Sequence, residues 1–366
     1  MSGEFEIYYP PRRWWRRALT VIFPFINIAL AVLVIWLVMR GDEFDMGTVF
    51  QVRLNWGYMV GVLVLVYLVS ALTILQMQII LKTTTGKTDL KIAAKTHFLE
   101  RFWTMMTPFM SGGRPSQVYY FHKHGYDMGK TTSVVVSNYI VGRIGFQLLV
   151  GVIWIFLMYR VRELDGGLVV GSTIVVGIVF AIVLSGIFVF MAFSKIVPEK
   201  ISKVSVWILF KIRIIKDRQR ADDAMSETLW TYRVAMRKLL RQPLVMWGTI
   251  ALSALWYFLH LFKIVFIYAA LWGFPDASTL ALLILGITLV ENTAAVMPLP
   301  GGTGGMEIFF LSIFATIFGS PEVVVAVVLW KIVSYVMPIV NGLPFLVMDS
   351  FQKRKNTKEC ENSKLS

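Results

Sequence analysis

The chain has little charge and almost no cysteine. Charged residues make up 16% of its 366 positions, against roughly a quarter in a soluble domain. Cys360 is the only cysteine, which excludes an internal disulfide and a cysteine metal cluster. The four histidines, His97, His122, His124 and His260, show no metal-ligand spacing, so neither a metal nor a cofactor is expected. No G-x-x-x-x-G-K-[ST] stretch is present, which excludes a P-loop nucleotide drive. The longest polar stretch, 194–243, is too short to be a catalytic domain.

Apolar sequence fills the space that these absences leave. The chain is 57% hydrophobic, with mean hydropathy +0.67, and reads as an all-α polytopic membrane protein. Its net charge of +14 would suggest nucleic acid in a soluble protein. Cytoplasmic loops of membrane proteins collect Lys and Arg, so the expected partner is the lipid bilayer and no nucleic acid. Runs of about 20 apolar residues, the length that crosses a bilayer, fall at 18–39, 57–81, 132–159, 168–193, 244–272 and 322–348. The first is too long for a signal-peptide core and no cleavage site follows. Arg12, Arg13, Arg16 and Arg17 before it place the N-terminus in the cytoplasm. The 194–243 stretch carries twelve Lys and Arg against five Asp and Glu, and reads as internal helices. The polar tail 349–366 is internal too, which makes 1–348 a single integral domain of a cell membrane.

Two stretches break the pattern. VMPLPGGTGGMEIFF (296–310) interrupts an apolar run with Pro298, Pro300, Gly301, Gly302, Gly304 and Gly305, between Glu291 and Glu307. Segment 89–125 runs into Pro108 and then SGGRPS, with Arg114. Pieces this short can enter a membrane and return. Both are expected to be re-entrant hairpins, 89–125 from inside and 278–318 from outside, as in an inverted repeat; for 278–318, two separate crossings fit equally well. Irregular backbone at membrane depth is tolerated where it is buried or lines a wet cavity, and paired interrupted segments point to a transporter's site. Half-helices opening near Gly304–Gly305 and near Pro115–Ser116 are expected to aim free N–H groups at an anion. The alternative is that the glycines serve helix packing.

Charges within the apolar runs sharpen this. Tyr139, Arg143 and Gln147 share a helix face. Lys263 shares a stripe with Trp256 and His260. Lys331 lies in the last span, and Glu291 and Asn292 lie before the glycine motif. Embedded charges usually face a pathway or each other, and an excess of cations over Glu291 and Glu307 suits an anionic headgroup. Lys263 and Lys331 are candidates to pair with Glu291 or to snorkel.

TPFMSGGRPSQVYYFHKHG (107–125), a following span with an embedded Arg, and PLPGGTGGMEIFF together resemble the transmembrane region of the lysylphosphatidylglycerol synthase/flippase family, the membrane part of the bacterial multiple peptide resistance factor. The likeness extends over roughly 18–348. The late pattern matches at Pro298, Pro300, Gly301, Gly302, Gly304 and Glu307, the early one at Pro108, Gly112 and Gly113. The family's acidic residue before Arg143 is replaced by Gly142. The resemblance implies translocation of an anionic or aminoacylated phospholipid between leaflets, and a link to antibiotic resistance. In full-length members a soluble domain makes the lysyl lipid. This chain is expected to be a stand-alone member without it, working as a homo-oligomer or beside a separate synthase. A lysyltransferase-type membrane enzyme and an accessory subunit of a lipid-modifying enzyme are the alternatives.

Overall fold

The computed structural model describes residues 52–107, 110–161, 241–293, 300–319 and 322–362, with isolated positions between 207 and 238. The expected spans 18–39 and 168–193 and most of 194–243 lie outside the described residues.

Every described element is helical. The first helix, α1 (Trp56–Thr85), starts where the Asn55 side chain accepts the Gly57 N–H at 3.0 Å. It ends at Gly86, which takes φ 76°. A second helix, α2 (Leu90–Met106), starts on Asp89, whose carboxylate accepts the Ile92 N–H at 3.0 Å. After a break come α3 (Gly113–Lys123) and α4 (Met128–Val161). Next is α5 (Pro243–Trp272), with proline in its first turn, where no N–H is required. The helix α6 (Ala277–Thr293) follows, capped by Asp276, which is held near pKa 2 chiefly by hydrogen bonds from Ser278 and Thr279. A 3₁₀ turn (Pro300–Gly302) precedes α7 (Gly305–Phe318) and α8 (Glu322–Lys331). The chain then passes through a π turn (Ile332–Val336) into α9 (Met337–Asn362).

Among the described residues, four stretches are long and apolar enough to cross a membrane: Trp56–Thr85, Met128–Ile153, Pro243–Trp272 and Glu322–Asp349. They coincide with the expected spans at 57–81, 132–159, 244–272 and 322–348. The last differs in kind from the expectation. It is interrupted by the π turn, and its helix runs on into the tail taken to be separate. The pieces of the interrupted segments are short. At about 1.5 Å per residue, α2 and α6 reach about 26 Å, α7 about 21 Å and α3 about 17 Å, each less than a hydrocarbon core of about 30 Å.

Helices α1, α5, α6, α7 and α8 share a core around Val62, Leu261, Leu283, Phe310, Phe314 and Val327. Small residues bring backbones together, as expected where lipid provides no hydrophobic drive between helices. A Cβ on Gly145 would lie 2.8 Å from the Ile250 carbonyl oxygen on α5, and one on Gly342 would lie 2.9 Å from the Phe98 carbonyl oxygen on α2. One buried carboxamide links three helices. Gln76 Nε2 donates to Asn138 Oδ1 at 2.9 Å, and its Oε1 accepts from Ser253 Oγ at 2.8 Å and Trp256 Nε1 at 2.9 Å.

Candidate functional site

Both interrupted segments bring their turns to the same place. In the first, the Thr107 hydroxyl accepts the Gly112 N–H at 2.7 Å, and Met110 is forced to φ 52°. Helix α3 opens at Gly113, earlier than Pro115–Ser116, and it opens onto protein. A Cβ on Gly113 would sit 1.9 Å from Thr104 Oγ1 and 2.9 Å from the Glu100 carbonyl oxygen. Here the glycine serves packing.

The second turn holds Gly301 at φ 61°, Gly302 at φ 66° and Gly304 at φ 89°. The ring of Tyr335 fills the space beside Gly301, where a Cβ would fall 2.3 Å from Cε2, and the Met105 carbonyl of the first turn lies 3.6 Å away. Met110 reaches Gly302 at 3.5 Å. Glycine is required here by conformation and by space.

One N–H group at this turn is taken up by the protein itself. Glu307, 0% exposed, turns back so that its Oε2 accepts the Gly304 N–H at 2.7 Å. Its Oε1 lies 2.5 Å from Lys331 Nζ. Lys331 also donates to Thr303 Oγ1 at 3.3 Å, and lies 4.7 Å from the Tyr335 ring centroid. A carboxylate at the start of a helix is favoured by the N–H dipoles, and a buried carboxylate needs a cation. Lys331 therefore belongs to Glu307 and not to Glu291. Glu291 pairs instead with His260, Nε2 to Oε1 at 3.0 Å.

Beside these turns is an open cavity of about 210 Å³. Of the expected site residues, Arg143, Lys263, Glu291, Gly301 and Lys331 line it. Arg143 Nε donates to the Tyr139 hydroxyl at 3.3 Å. Lys263 is 9% exposed and, among the described residues, has no carboxylate within ion-pairing distance. Tyr139 and Arg114 line a smaller adjoining chamber, where Arg114 Nε is 3.8 Å from Glu100 Oε1. Gly302, Gly304 and Gly305 shape the turn, and Glu307 stabilises it, without lining the cavity. Gln147 lines neither space. The Asn292 side chain lies outside the described residues.

The sequence reading passed over His97, Arg101, Tyr257 and Tyr335 as site residues, all of which line the cavity. It singled out His260 only as a neighbour of Lys263. The available signal was helical spacing: Tyr257 and His260 precede Lys263 by six and three residues on the same helix, and His97 and Arg101 are four apart.

The resulting class is a helical membrane protein with a charged cavity built between two glycine-broken segments. Within that class, the chain belongs to the family described as the lysylphosphatidylglycerol synthase TM region, which it matches over residues 13–342. No curated protein and no solved structure gives a match.

Proposed function

We propose that this protein moves an anionic or aminoacylated phospholipid, of the phosphatidylglycerol or lysylphosphatidylglycerol type, between the leaflets of a cell membrane. The observation that carries this reading is Lys263. A buried ammonium with no carboxylate at ion-pairing distance is costly, and this one, which has none among the described residues, faces a cavity that Arg143 also lines. Arg143 and Lys263 outnumber Glu291 there, because Lys331 is neutralised by Glu307 and Arg101 lies beside Glu100. A phosphate entering between these cations would relieve their excess, while the acyl chains remain in lipid. The two interrupted segments would serve as re-entrant hairpins holding the cavity at membrane depth, with both termini in the cytoplasm.

One observation favours a second reading, a membrane transferase. His260 and Glu291 form a hydrogen-bonded acid/base pair open to the cavity, with side chains 16% and 26% exposed. Glu307 is enclosed and engaged with Lys331, so Glu291 would work with His260 and not with Glu307. An accessory role is less favoured, because a solid core would suffice for it.

The test is leaflet movement of labelled phosphatidylglycerol and lysylphosphatidylglycerol in liposomes holding the purified protein. Movement above empty liposomes that Arg143→Ala abolishes is expected. No movement of either lipid by folded protein would contradict the reading.

A further inference from the structure

The chamber beside the cavity holds a group that the translocation reading leaves unused. It is small, about 30 Å³, and shares the walls formed by His97, Arg101 and Tyr257 with the larger space. Gln117, on α3, lines it and is 2% exposed, and its Oε1 has no hydrogen-bond partner among the described residues. An orphaned buried carbonyl oxygen is expensive, and a donor from outside the protein would satisfy it. Tyr139 joins the two spaces. It lines the chamber, while its hydroxyl accepts from Arg143, which lines the cavity.

The local charge selects the donor. Glu100 is flanked by Arg101 and Arg114, each with Nε 3.8 Å from one of its oxygens. Two guanidinium groups against one carboxylate leave the chamber positive, which disfavours an ammonium and admits a neutral hydroxyl. We infer that this chamber is a specificity subsite for the hydroxyl-bearing end of a phospholipid headgroup, with Gln117 accepting the hydroxyl proton. This rests on the reading that Arg143 and Lys263 hold the phosphate. A headgroup whose phosphate lies at Arg143 then extends its polyol past Tyr139 to Gln117. A site built to bond a hydroxyl discriminates strongly against an analogue that lacks it, because the buried acceptor is then left unpaired.

The test compares the affinities of two short-chain lipids for the purified full chain in detergent: dioctanoyl phosphatidylglycerol, and dioctanoyl phosphatidylmethanol, which has the same charge and no hydroxyl. The unsubstituted protein is expected to prefer the glycerol lipid by about tenfold. Gln117→Met is expected to erase that preference while keeping its affinity for phosphatidylmethanol, which also shows that the variant is folded. Equal affinities in the unsubstituted protein overturn the inference, whatever the variant does. So does a Gln117→Met protein that keeps the preference. Arg143→Ala separates the two readings. If it weakens both lipids alike and Gln117→Met affects neither, the subsite falls and the phosphate reading stands. If Arg143→Ala leaves both affinities unchanged, both fall.

Discussion

The two interrupted segments face one physical problem and solve it differently. Each must turn the chain and satisfy the N–H groups that the break frees. The first turn uses a neutral cap, the Thr107 hydroxyl on the Gly112 N–H. The second uses a carboxylate, Glu307 on the Gly304 N–H, and must then supply Lys331 to balance it. A neutral cap needs no partner and depends on its neighbours only for packing. A charged cap is better matched to helix dipoles but commits a second residue, 24 positions away in sequence, to the same task. The second turn is therefore the more firmly specified and the more easily ruined.

Substitutions at the two turns put that difference to the test. Lys331→Met leaves Glu307 buried without its cation, and should cost about 3–5 kcal/mol in detergent-solubilised unfolding. Combining it with Glu307→Gln should recover much of the loss, since replacing both partners removes the stranded charge. Gly301→Ala should cost about 2–3 kcal/mol, because alanine must hold a positive φ against the Tyr335 ring. Thr107→Val keeps the shape of the first turn and removes only its neutral cap, so a loss of about 1 kcal/mol is expected by the same measurement. A loss at Thr107 equal to that at Lys331 would erase the distinction between the turns.

A weaker prediction concerns how the first segment is fastened. Asp349 on α9 accepts from Lys95 on α2 at 3.1 Å and from Lys123 on α3 at 2.5 Å. The three side chains are 14–34% exposed, so Asp349→Asn should cost no more than about 1 kcal/mol. Its main effect should be faster proteolysis near Gly125, with the α6–α7 pair unaffected.

The places where sequence served and failed have physical reasons. Helix lengths at 57–81 and 244–272 were legible because an apolar run of bilayer length has few other interpretations. The turns at Gly112–Gly113 and Gly301–Gly305 were legible because proline and glycine interrupt a helix locally. The pairing was not. Lys331 and Glu291 are opposite charges at membrane depth, and nothing along the chain says that Glu307 folds back to claim the lysine first. The π turn at Ile332–Val336 has no local cue, since IVSYV suits an α-helix as well. The chamber beside the cavity was equally hidden, because Glu100, Gln117 and Tyr139 meet from three different helices. Arg114 and Gln147 were chosen for charge and spacing. One faces the chamber and the other faces neither space.

Lys263 separates function from stability more sharply than any other residue. Lys263→Met removes a buried cation that has no ion-paired carboxylate among the described residues, so the fold should be unchanged or up to about 1 kcal/mol more stable. The decisive measurement is leaflet movement of labelled phosphatidylglycerol by this variant in liposomes, beside its unfolding temperature. Loss of most of the movement by a protein at least as stable as the parent is the expected result. Undiminished movement would contradict the assignment of the cavity's cations to the lipid phosphate.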